Sequence, residues 1–355
     1  MRVLHLPNNI ASIPSHTVKG LRQIGVEVYG LMLGNALVQS TDGLKVIESV
    51  PRRKVYRWIW RNFRWVYNYL KWVTWADVIH WYFTPVLPWG LDLKYIKALD
   101  KPGVVEWLGS DIRIPEIEFE DNPYYKAAFY SGYEYQFESL QRSRQVQKKF
   151  AEAGFASIVP VCMLRYVQTD ICPRVYVVPQ RIVLSDYNPA YPDPAVTRPL
   201  IVHAPTAPIS KGTPAVLKAI EKLKIAYNFE FRLIHGMSRN EALQVMQRAD
   251  IFLDQFVLGD HGMAALEAMA FGKPVVCYIK PSMIDKYPPD LPIINATQDN
   301  LADVLEPLLR DGELRHEIGK RSRVYVEKYH DAIKLAYRLV DIYQEVIEDK
   351  RDRRC

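Results

Sequence analysis

Two consecutive sets of alternating strand and helix patterns predict an α/β protein with two doubly wound parallel sheets. The first set of short apolar, β-prone runs lies before residue 184, and the second set lies after residue 199. Amphipathic segments separate the runs, and this alternation is typical of parallel sheets covered by helices. Between the sets, the proline-rich stretch SDYNPAYPDPAVTRP at residues 185–199 predicts an extended linker. At 355 residues, the chain is long enough for two domains of ordinary size.

The apolar periodicity and the capping residues predict the individual elements. Strands are predicted at Val3–Leu6, Val26–Met32, Val78–Phe83, Val104–Leu108, Ser157–Val161, Val175–Val178, Leu200–His203, Phe229–His235, Ile251–Asp254, Val275–Ile279 and Ile293–Ile294. Helical patterns lie at Thr17–Gln23, Arg52–Trp75, Glu134–Ala153, Ala264–Phe271 and Leu314–Asp349. Ser238 and Glu241 have the spacing of a capping box.

These patterns predict four segments. An N-terminal domain covers residues 1–184, and the linker covers 185–199. A C-terminal domain covers 200–330, and a final helical segment at 331–355 is long enough to cross back to the first domain.

Composition indicates a globular protein of the cytoplasm. Hydrophobic residues make up 49% and charged residues 24% of the chain, as in ordinary globular proteins. The N-terminal MRVLHLP is typical of a strand rather than a signal peptide, and no apolar run reaches the roughly 18 residues that a membrane span needs. The sparse cysteines suit a reducing compartment and show no metal-ligand pairing, so we predict no metal site: Cys162, Cys172, Cys277 and Cys355.

The stretch GDHGMAALEAMAFGKPVV at residues 259–276 places one carboxylate, Glu267, in an otherwise apolar helix. Gly272 and Pro274 end this helix, and the strand before it ends at Asp254. The loop between them therefore lies at the carboxyl end of a parallel strand, where α/β proteins bind ligands. We expect free N–H groups near Gly262 and Met263 to face that ligand, with Glu267 one turn further along. A solvated helix glutamate is the alternative interpretation.

Three motifs resemble a known family. GMAALEAMAFGKPVV resembles the donor-site helix of retaining GT-B glycosyltransferases of the family-4 type, the glycosyl transferases group 1. HAPTAPISKGT at residues 203–213 resembles the first strand and loop of that family's C-terminal domain, and WLGSDIR at 107–113 resembles its N-domain Gly-Ser-Asp loop. The resemblance implies a GT-B fold: two Rossmann-like domains face one another across a cleft, the first binding the acceptor and the second the nucleotide-sugar.

The resemblance also implies roles for individual residues. Glu267 corresponds to the glutamate that binds the nucleotide ribose, and Lys211 to the lysine that neutralises the donor diphosphate. The donor-binding set is completed by Gly262, Met263, Ala264, Thr206 and Asn9. The catalytic candidates are Lys211, Asp111, Asp260 and His261.

The implied reaction is hexosyl transfer with retention, as in cell-envelope polysaccharide synthesis. The donor is a UDP- or GDP-linked sugar, and the acceptor is a saccharide or a lipid-linked molecule. No bound cofactor or metal is expected, because a lysine and helix N-terminal amides can neutralise the diphosphate. A sugar phosphorylase is disfavoured, since no lysine is placed for a pyridoxal cofactor.

Several positions depart from the family pattern. Gly259 stands where the first of two paired glutamates is usual, so Asp260 or His261 takes over its contact with the donor sugar or the contact is lost. Leu108 replaces a histidine, and His80 either lines the cleft or is a core histidine. Asn8 and Asn9 replace the Gly-Gly of the first loop, while Thr206 and Ser210 stand where an arginine usually precedes Lys-Gly. A catalytically silent relative that binds a partner or a membrane is therefore the alternative function.

Residues 52–75 carry seven basic residues and no acidic one. An apolar stripe is predicted to pack this helix, with a basic face opposite and Trp58, Trp65 and Trp72 at the boundary. The stripe consists of Val55, Ile59, Phe63, Val66, Leu70 and Val73, and the basic face of Arg57, Arg61, Arg64 and Lys71. Either this face is merely solvated, or it meets an anionic membrane at the inner face or an anionic acceptor. Nucleic acid is not predicted, because no binding motif accompanies the charge.

Overall fold

The computed structural model describes residues 1–34, 39–50 and 53–352. Arg52 of the basic segment and Cys355 lie outside the described residues. The strands are β1 (Arg2–Pro7), β2 (Glu27–Leu33), β3 (Leu44–Ile47), β4 (Val78–Tyr82), β5 (Gly103–Glu106), β6 (Ala156–Val159), β7 (Val175–Val177), β8 (Leu200–His203), β9 (Glu230–Leu233), β10 (Ile251–Leu253), β11 (Val275–Cys277) and β12 (Ile294–Asn295).

Helices lie between these strands and after the last one. They are α1 (Ile13–Gln23), α2 (Val55–Trp75), α3 (Leu91–Ala98), α4 (Pro115–Asp121), α5 (Pro123–Phe129), α6 (Leu140–Glu152), α7 (Pro208–Lys211), α8 (Thr213–Lys224), α9 (Arg239–Arg248), α10 (Met263–Ala270), α11 (Pro281–Ile284), α12 (Leu301–Arg310), α13 (Gly312–Tyr329) and α14 (Ala332–Asp352). The predicted capping box is confirmed, since Ser238 and Glu241 exchange side-chain and backbone hydrogen bonds at the start of α9.

Two parallel sheets confirm the predicted α/β class. The first has the order β3-β2-β1-β4-β5-β6-β7, and the second has the order β12-β11-β10-β8-β9. Every strand pairing in both sheets is parallel. β3 was not expected, because the short sequence Leu-Lys-Val-Ile gives little apolar signal by itself.

The chain forms two compact units whose composition differs from the predicted domains. The first unit contains residues 1–114, 138–183 and 332–355, and the second contains residues 115–137 and 184–331. The predicted C-terminal helix pattern is divided into α13, in the second unit, and α14, in the first. Within the first unit, α14 buries Leu339, Ile342 and Tyr343 in the core beside the sheet.

The main correction to the predicted domains concerns residues 115–137, which belong to the second unit rather than the first. Asn122 donates to the backbone oxygen of Val257 at 2.8 Å, and the buried carboxylate of Glu118 pairs with Lys280. These polar contacts join residues distant in sequence, so periodicity could not reveal them. The predicted linker at 185–199 is also part of this unit, where His316 contacts the Pro192 carbonyl at 2.9 Å.

His80 is a core histidine of the first unit. Its Nε2 lies 3.0 Å from Glu106 Oε2, and its Nδ1 lies 2.6 Å from the Tyr343 hydroxyl. Arg181 pairs with both oxygens of Glu106, and all of these side chains are buried. Burial lowers the pKa of His80, which therefore stays neutral near pH 7. Of the two interpretations of His80, this network supports the structural one.

The packing predicted for α2 is wrong. Of the expected apolar stripe only Val73 is buried, and the helix instead packs through Trp65, Tyr69 and Val73. The surface that α2 meets is aromatic and polar: Trp72 stacks on Tyr29 of β2 with ring centroids 3.6 Å apart, and the Tyr69 hydroxyl donates to the carbonyl of Asp92 on α3 at 2.6 Å. Apart from Val73, the residues of the predicted stripe are exposed. Among the described residues, none of the helices is long and apolar enough to cross a membrane.

Candidate functional site

The strand order of the second sheet reverses between β8 and β10. β9 extends the sheet on one side of β8, whereas β10, β11 and β12 follow on the other side. In open parallel sheets, the loops that leave the carboxyl ends of such neighbouring strands diverge and form a ligand-binding crevice. Lys211 ends the short helix α7 that follows β8, and the loop after β10 carries Asp254, Asp260 and His261. The topology therefore brings two of the predicted motifs together within one unit.

Lys211 lies at the end of α7 and reaches the loop after β10. Its Nζ donates to Asp254 Oδ1 at 3.0 Å and to Gln255 Oε1 at 2.9 Å. Asp254 is buried, whereas the Lys211 side chain is 16% exposed. An ammonium group has three donors, so these two contacts leave one N–H of Lys211 for an anionic ligand.

The start of α10 differs from the expectation in one respect. The Gly262 N–H does not face a ligand, because it donates to Asp254 Oδ2 at 2.6 Å. The next N–H groups, those of Met263 and Ala264, open the helix and have no acceptor within it. A Cβ on Gly262 would lie 2.9 Å from Lys211 Nζ, so glycine is required for the close approach of the lysine. Asp254 thus holds both the lysine and the helix start.

Glu267 has partners within its own unit. Its Oε1 accepts hydrogen bonds from Arg239 Nη2 at 2.6 Å and from the Tyr187 hydroxyl at 3.0 Å. Arg239 also donates to Tyr187 at 2.9 Å, which closes a three-membered network. Although burial favours the neutral guanidinium, the charge of Glu267 raises the pKa of Arg239 above its ordinary value. The carboxylate is therefore not the solvated glutamate of the alternative interpretation.

Asp260 and His261 lie just before the start of α10. Asp260 Oδ1 accepts from the His261 N–H at 2.7 Å and from the Tyr287 hydroxyl. His261 is 5% exposed, and its ring contacts the rings of Tyr287 and His330. Neither ring nitrogen of His261 has a hydrogen-bond partner among the residues that the structure describes. A buried imidazole without partners is costly unless a ligand or water supplies them.

The missing first glutamate has a structural reason. Gly259 has a φ of +73°, a conformation that side-chain-bearing residues rarely adopt. A Cβ at this position would also lie 2.9 Å from Lys280 Cβ. Lys280 is buried and paired with Glu118, so it cannot move aside without breaking that ion pair. A glutamate at Gly259 is therefore incompatible with this packing.

A carboxylate from the segment at 115–137 holds the short helix α7, which ends at Lys211. Glu134 accepts hydrogen bonds from the backbone N–H groups of Ile209 at 2.7 Å and Ser210 at 2.9 Å, and from the Ser210 hydroxyl. Burial opposes ionisation, but these hydrogen bonds lower the pKa of Glu134 below its ordinary value. Thr206 is exposed in the loop between β8 and α7.

Two predicted site residues belong to the first unit. Asn9 follows β1, and its side chain donates to the Ser40 carbonyl at 2.7 Å. Asp111 is buried, and its carboxylate accepts from the backbone N–H groups of Leu108, Gly109 and Ile112 at 2.8–3.1 Å. Burial nevertheless raises the pKa of Asp111. In this structure Asp111 holds the turn of the Gly-Ser-Asp loop.

No group of three or more His, Cys, Asp or Glu side chains arranged to hold a metal ion is found in the described part of the chain. The buried thiol of Cys277 has a pKa raised well above its ordinary value by burial, which disfavours the thiolate that binds metals.

A family model described as "Glycosyl transferases group 1" matches residues 212–325, which include α10 and the whole loop after β10. This region of the second unit is therefore similar to the glycosyl transferases group 1 family. No curated protein matches the chain in sequence.

Solved structures of low sequence identity share the architecture of the whole chain. Sucrose-phosphate synthase from Thermosynechococcus elongatus is 13% identical with a TM-score of 0.66, over 98% of this chain and 100% of that one. WaaG, a glycosyltransferase involved in lipopolysaccharide biosynthesis, is 15% identical with a TM-score of 0.57, over 97% and 99%. HepE from Anabaena in complex with UDP-glucose is 12% identical with a TM-score of 0.54, over 97% and 100%. The chain therefore has the GT-B fold of these glycosyltransferases.

Four polar residues around the candidate site were not assigned from the sequence. They are Asp254, Gln255, Arg239 and Tyr187. Asp254 and Gln255 directly follow the apolar run of β10, and this position at a strand's carboxyl end was a usable signal. Arg239 and Tyr187 are separated from Glu267 by 28 and 80 residues, and no local pattern connects them.

Proposed function

We propose that this protein transfers a sugar from a UDP- or GDP-linked donor to a saccharide or lipid-linked acceptor, with retention of the anomeric configuration. The observation that carries the proposal is the position of Lys211, which reaches the first turn of α10 at the switch point of the second sheet. A single cation beside first-turn helix amides suits a diphosphate leaving group, whose charge grows as the glycosidic bond breaks.

Lys211 is the residue proposed to neutralise the departing diphosphate. Asp254 and Gln255 fix its ammonium group at 3.0 and 2.9 Å, so little reorganisation is needed when the donor binds. The negative charge of Asp254 offsets part of the positive charge of Lys211 in the free protein. The developing charge on the diphosphate then competes with Asp254 for the lysine, and the N–H groups of Met263 and Ala264 are proposed to share that charge.

Glu267 is proposed to bind the ribose diol through the oxygen that Arg239 and Tyr187 leave available. Both described contacts involve Oε1, and none involves Oε2. A carboxylate held on one side by an arginine is already oriented to accept hydrogen bonds on the other. Glu267 therefore depends on Arg239 for its orientation, although Arg239 lies outside the sequence motif that contains Glu267.

His261 and Asp260 are proposed to contact the donor sugar in place of the absent glutamate. His261 lies just before α10, and its two ring nitrogens have no hydrogen-bond partner in the described part of the chain, while the Asp260 carboxylate already accepts from Tyr287 and from the His261 N–H. The histidine is therefore the stronger candidate of the two. Thr206, Asn9 and Asp111 stay proposed site residues, although the known contacts of Asp111 are those of a turn.

The acceptor class is proposed from the basic helix α2 and from the comparisons. WaaG is described as acting in lipopolysaccharide biosynthesis, and the HepE structure holds UDP-glucose. An exposed basic helix suits an acceptor that lies at an anionic membrane surface, which makes a lipid-linked cell-envelope acceptor the preferred substrate. The corresponding location is cytoplasmic, with peripheral attachment at the inner face of the membrane.

Nucleotide binding tests the proposal without knowledge of the acceptor. UDP or GDP should raise the unfolding temperature of the protein, because a ligand that binds only the folded state stabilises it by mass action. Lys211→Ala should reduce this shift, whereas Lys218→Ala, an exposed lysine on α8, serves as the matched control. Slow hydrolysis of UDP-glucose or a GDP-sugar should accompany binding, and proton NMR of the released sugar should show the retained anomer first.

A catalytically silent relative is the second candidate, and two observations favour it. The first glutamate of the family pair is replaced by Gly259, and both Lys211 and Glu267 are already paired within their unit. Nucleotide binding without any donor hydrolysis or transfer would support this candidate. If neither UDP nor GDP shifts the unfolding temperature, the proposed donor site is wrong in either case.

A further inference from the structure

The outer side of α2 presents a continuous row of exposed large apolar side chains. Trp60 and Phe63 are 61% and 59% exposed, and their rings stack with centroids 5.7 Å apart. The complete exposed row consists of Val55, Tyr56, Ile59, Trp60, Phe63, Val66, Tyr67 and Leu70. Isolated surface hydrophobic residues need no explanation, but a contiguous patch of this kind marks an interaction site.

The spacing of these residues divides α2 into three strips. At about 3.6 residues per turn, the exposed apolar residues occupy one broad arc of the helix. Lys71, Arg64 and Arg57 follow on one flank of that arc and are also exposed. The third strip, with Trp65 and Tyr69, is buried against the unit. The apolar and basic residues therefore lie on the same free side of the helix and can meet one partner together.

The charge of the chain is concentrated on this segment. Residues 52–75 hold seven of the 46 Lys and Arg residues and none of the 40 Asp and Glu residues. The remainder of the chain, with 39 basic and 40 acidic residues, is nearly neutral, so this segment accounts for the net charge of +6. The partner of α2 must therefore be anionic as well as able to accept apolar side chains.

The geometry points to α2 as an interfacial helix that inserts its apolar arc into the headgroup region of an anionic lipid bilayer. Ile59, Trp60 and Phe63 would enter the boundary between headgroups and acyl chains, while Arg57, Arg64 and Lys71 meet lipid phosphates on the flank. Tryptophan and tyrosine suit this depth, because their rings are apolar and their N–H or O–H groups stay hydrated. This inference deepens the proposed use of a lipid-linked acceptor, since it specifies the surface that reaches the lipid.

Two other partners fit this surface less well. A second copy of the chain would bring two basic strips together, and like charges repel across an interface. A nucleic acid would use the basic flank, but its phosphates offer nothing to exposed aliphatic side chains such as Ile59, Val66 and Leu70. A bilayer surface satisfies both strips at once.

Vesicle cosedimentation tests the inference on the full chain without any donor or acceptor. The protein should bind vesicles of three parts phosphatidylcholine to one part phosphatidylglycerol at low salt, and it should bind pure phosphatidylcholine far more weakly. The triple change Arg57→Gln, Arg64→Gln and Lys71→Gln should lower the partition coefficient about a hundredfold, since each basic residue contributes roughly fivefold. The control triple Lys148→Gln, Lys149→Gln and Lys218→Gln removes the same charge from α6 and α8 and should bind as the wild type does.

A second pair of variants separates insertion from charge. Ile59→Ser with Phe63→Ser should weaken binding that survives at high salt, because the apolar contribution is not screened. The matched control Val324→Ser changes an exposed apolar residue on α13 and should have no effect. Vesicles with bromine-labelled acyl chains should quench part of the tryptophan fluorescence, and Trp60→Phe should remove most of that quenching.

Several outcomes would overturn this inference. The wild type fails to bind phosphatidylglycerol vesicles at low salt, or the α2 variants bind them as strongly as the wild type does. A DNA oligonucleotide that displaces the protein from the vesicles would also overturn it. Because vesicle binding needs no nucleotide, Lys211→Ala and Glu267→Ala should bind vesicles normally. If the wild type binds these vesicles but neither UDP nor GDP raises its unfolding temperature, the proposed function is refuted and the inference about α2 stands.

Discussion

Replacing Glu267 by alanine should destabilise the second unit as well as weaken donor binding. The carboxylate accepts hydrogen bonds at 2.6 and 3.0 Å, and the side chains of Arg239 and Glu267 are only 16% and 10% exposed. Removing it leaves a nearly buried guanidinium without its counter-charge. Hydrogen bonds to charged groups contribute about 1.5–3 kcal/mol, and breaking a buried ion pair costs about 3–5 kcal/mol. We expect the free energy of unfolding to fall by about 3 kcal/mol, because this pair retains some exposure.

The distribution of tryptophan makes this effect measurable in one unit. All eight tryptophans lie in the first unit, and the second unit, at residues 115–137 and 184–331, has none. Glu267→Ala should therefore shift the thermal transition seen by circular dichroism or calorimetry. About 3 kcal/mol corresponds to a decrease of roughly 6–12 °C for a unit of this size. If the two units unfold separately, the transition seen by tryptophan fluorescence should not move.

A double-mutant cycle shows whether the lost energy belongs to the pair. Arg239→Met alone should also destabilise the unit, whereas Arg239→Met combined with Glu267→Leu should cost much less than the two single changes together, since no buried charge remains. Gln244→Ala, at an exposed position of α9, is the control. An unchanged transition temperature for Glu267→Ala would refute the role of Arg239 as its partner.

Three further predictions concern Lys211, Gly262 and Glu106. Lys211→Ala should depress donor hydrolysis by about a hundredfold and donor affinity by much less, because the charge that it meets grows in the transition state; equal losses in both would contradict its role. Gly262→Ala should displace the lysine, since the new Cβ would lie 2.9 Å from Nζ, and it should reduce nucleotide binding, whereas Gly109→Ala meets its nearest atom at 3.8 Å and should fold normally. Burial opposes ionisation of Glu106, but Arg181 lowers its pKa to about 2 from an ordinary value of 4.5. The stability that this carboxylate contributes above pH 4.5 should therefore be lost as the pH falls toward 2, and Glu106→Gln should flatten that dependence in denaturation midpoints; an unchanged slope would contradict it.

The sequence by itself determined the fold class and the place of the candidate site. Alternating apolar runs and amphipathic segments predicted two parallel sheets, because buried strands and amphipathic helices each leave a characteristic pattern of apolar residues in the sequence. The small residues around Glu267 and the Gly-Lys-Pro stop located α10 within one residue at each end. The sequence also shows that Lys211 and Asp254 each follow an apolar strand, β8 and β10. These two strands are adjacent in the second sheet, which brings the two residues together.

Only the tertiary structure decided which partners these residues have. Arg239 and Tyr187 reach Glu267 from distant parts of the chain, and residues 115–137 join the second unit through Asn122 and Glu118. Such contacts depend on how separate elements pack, so no sequence period records them. The same reason explains α2: periodicity correctly separated an apolar arc from a basic one, but it could not tell which arc meets the sheet. The helix packs through Trp65, Tyr69 and Val73, and this packing leaves its other aliphatic residues in solvent.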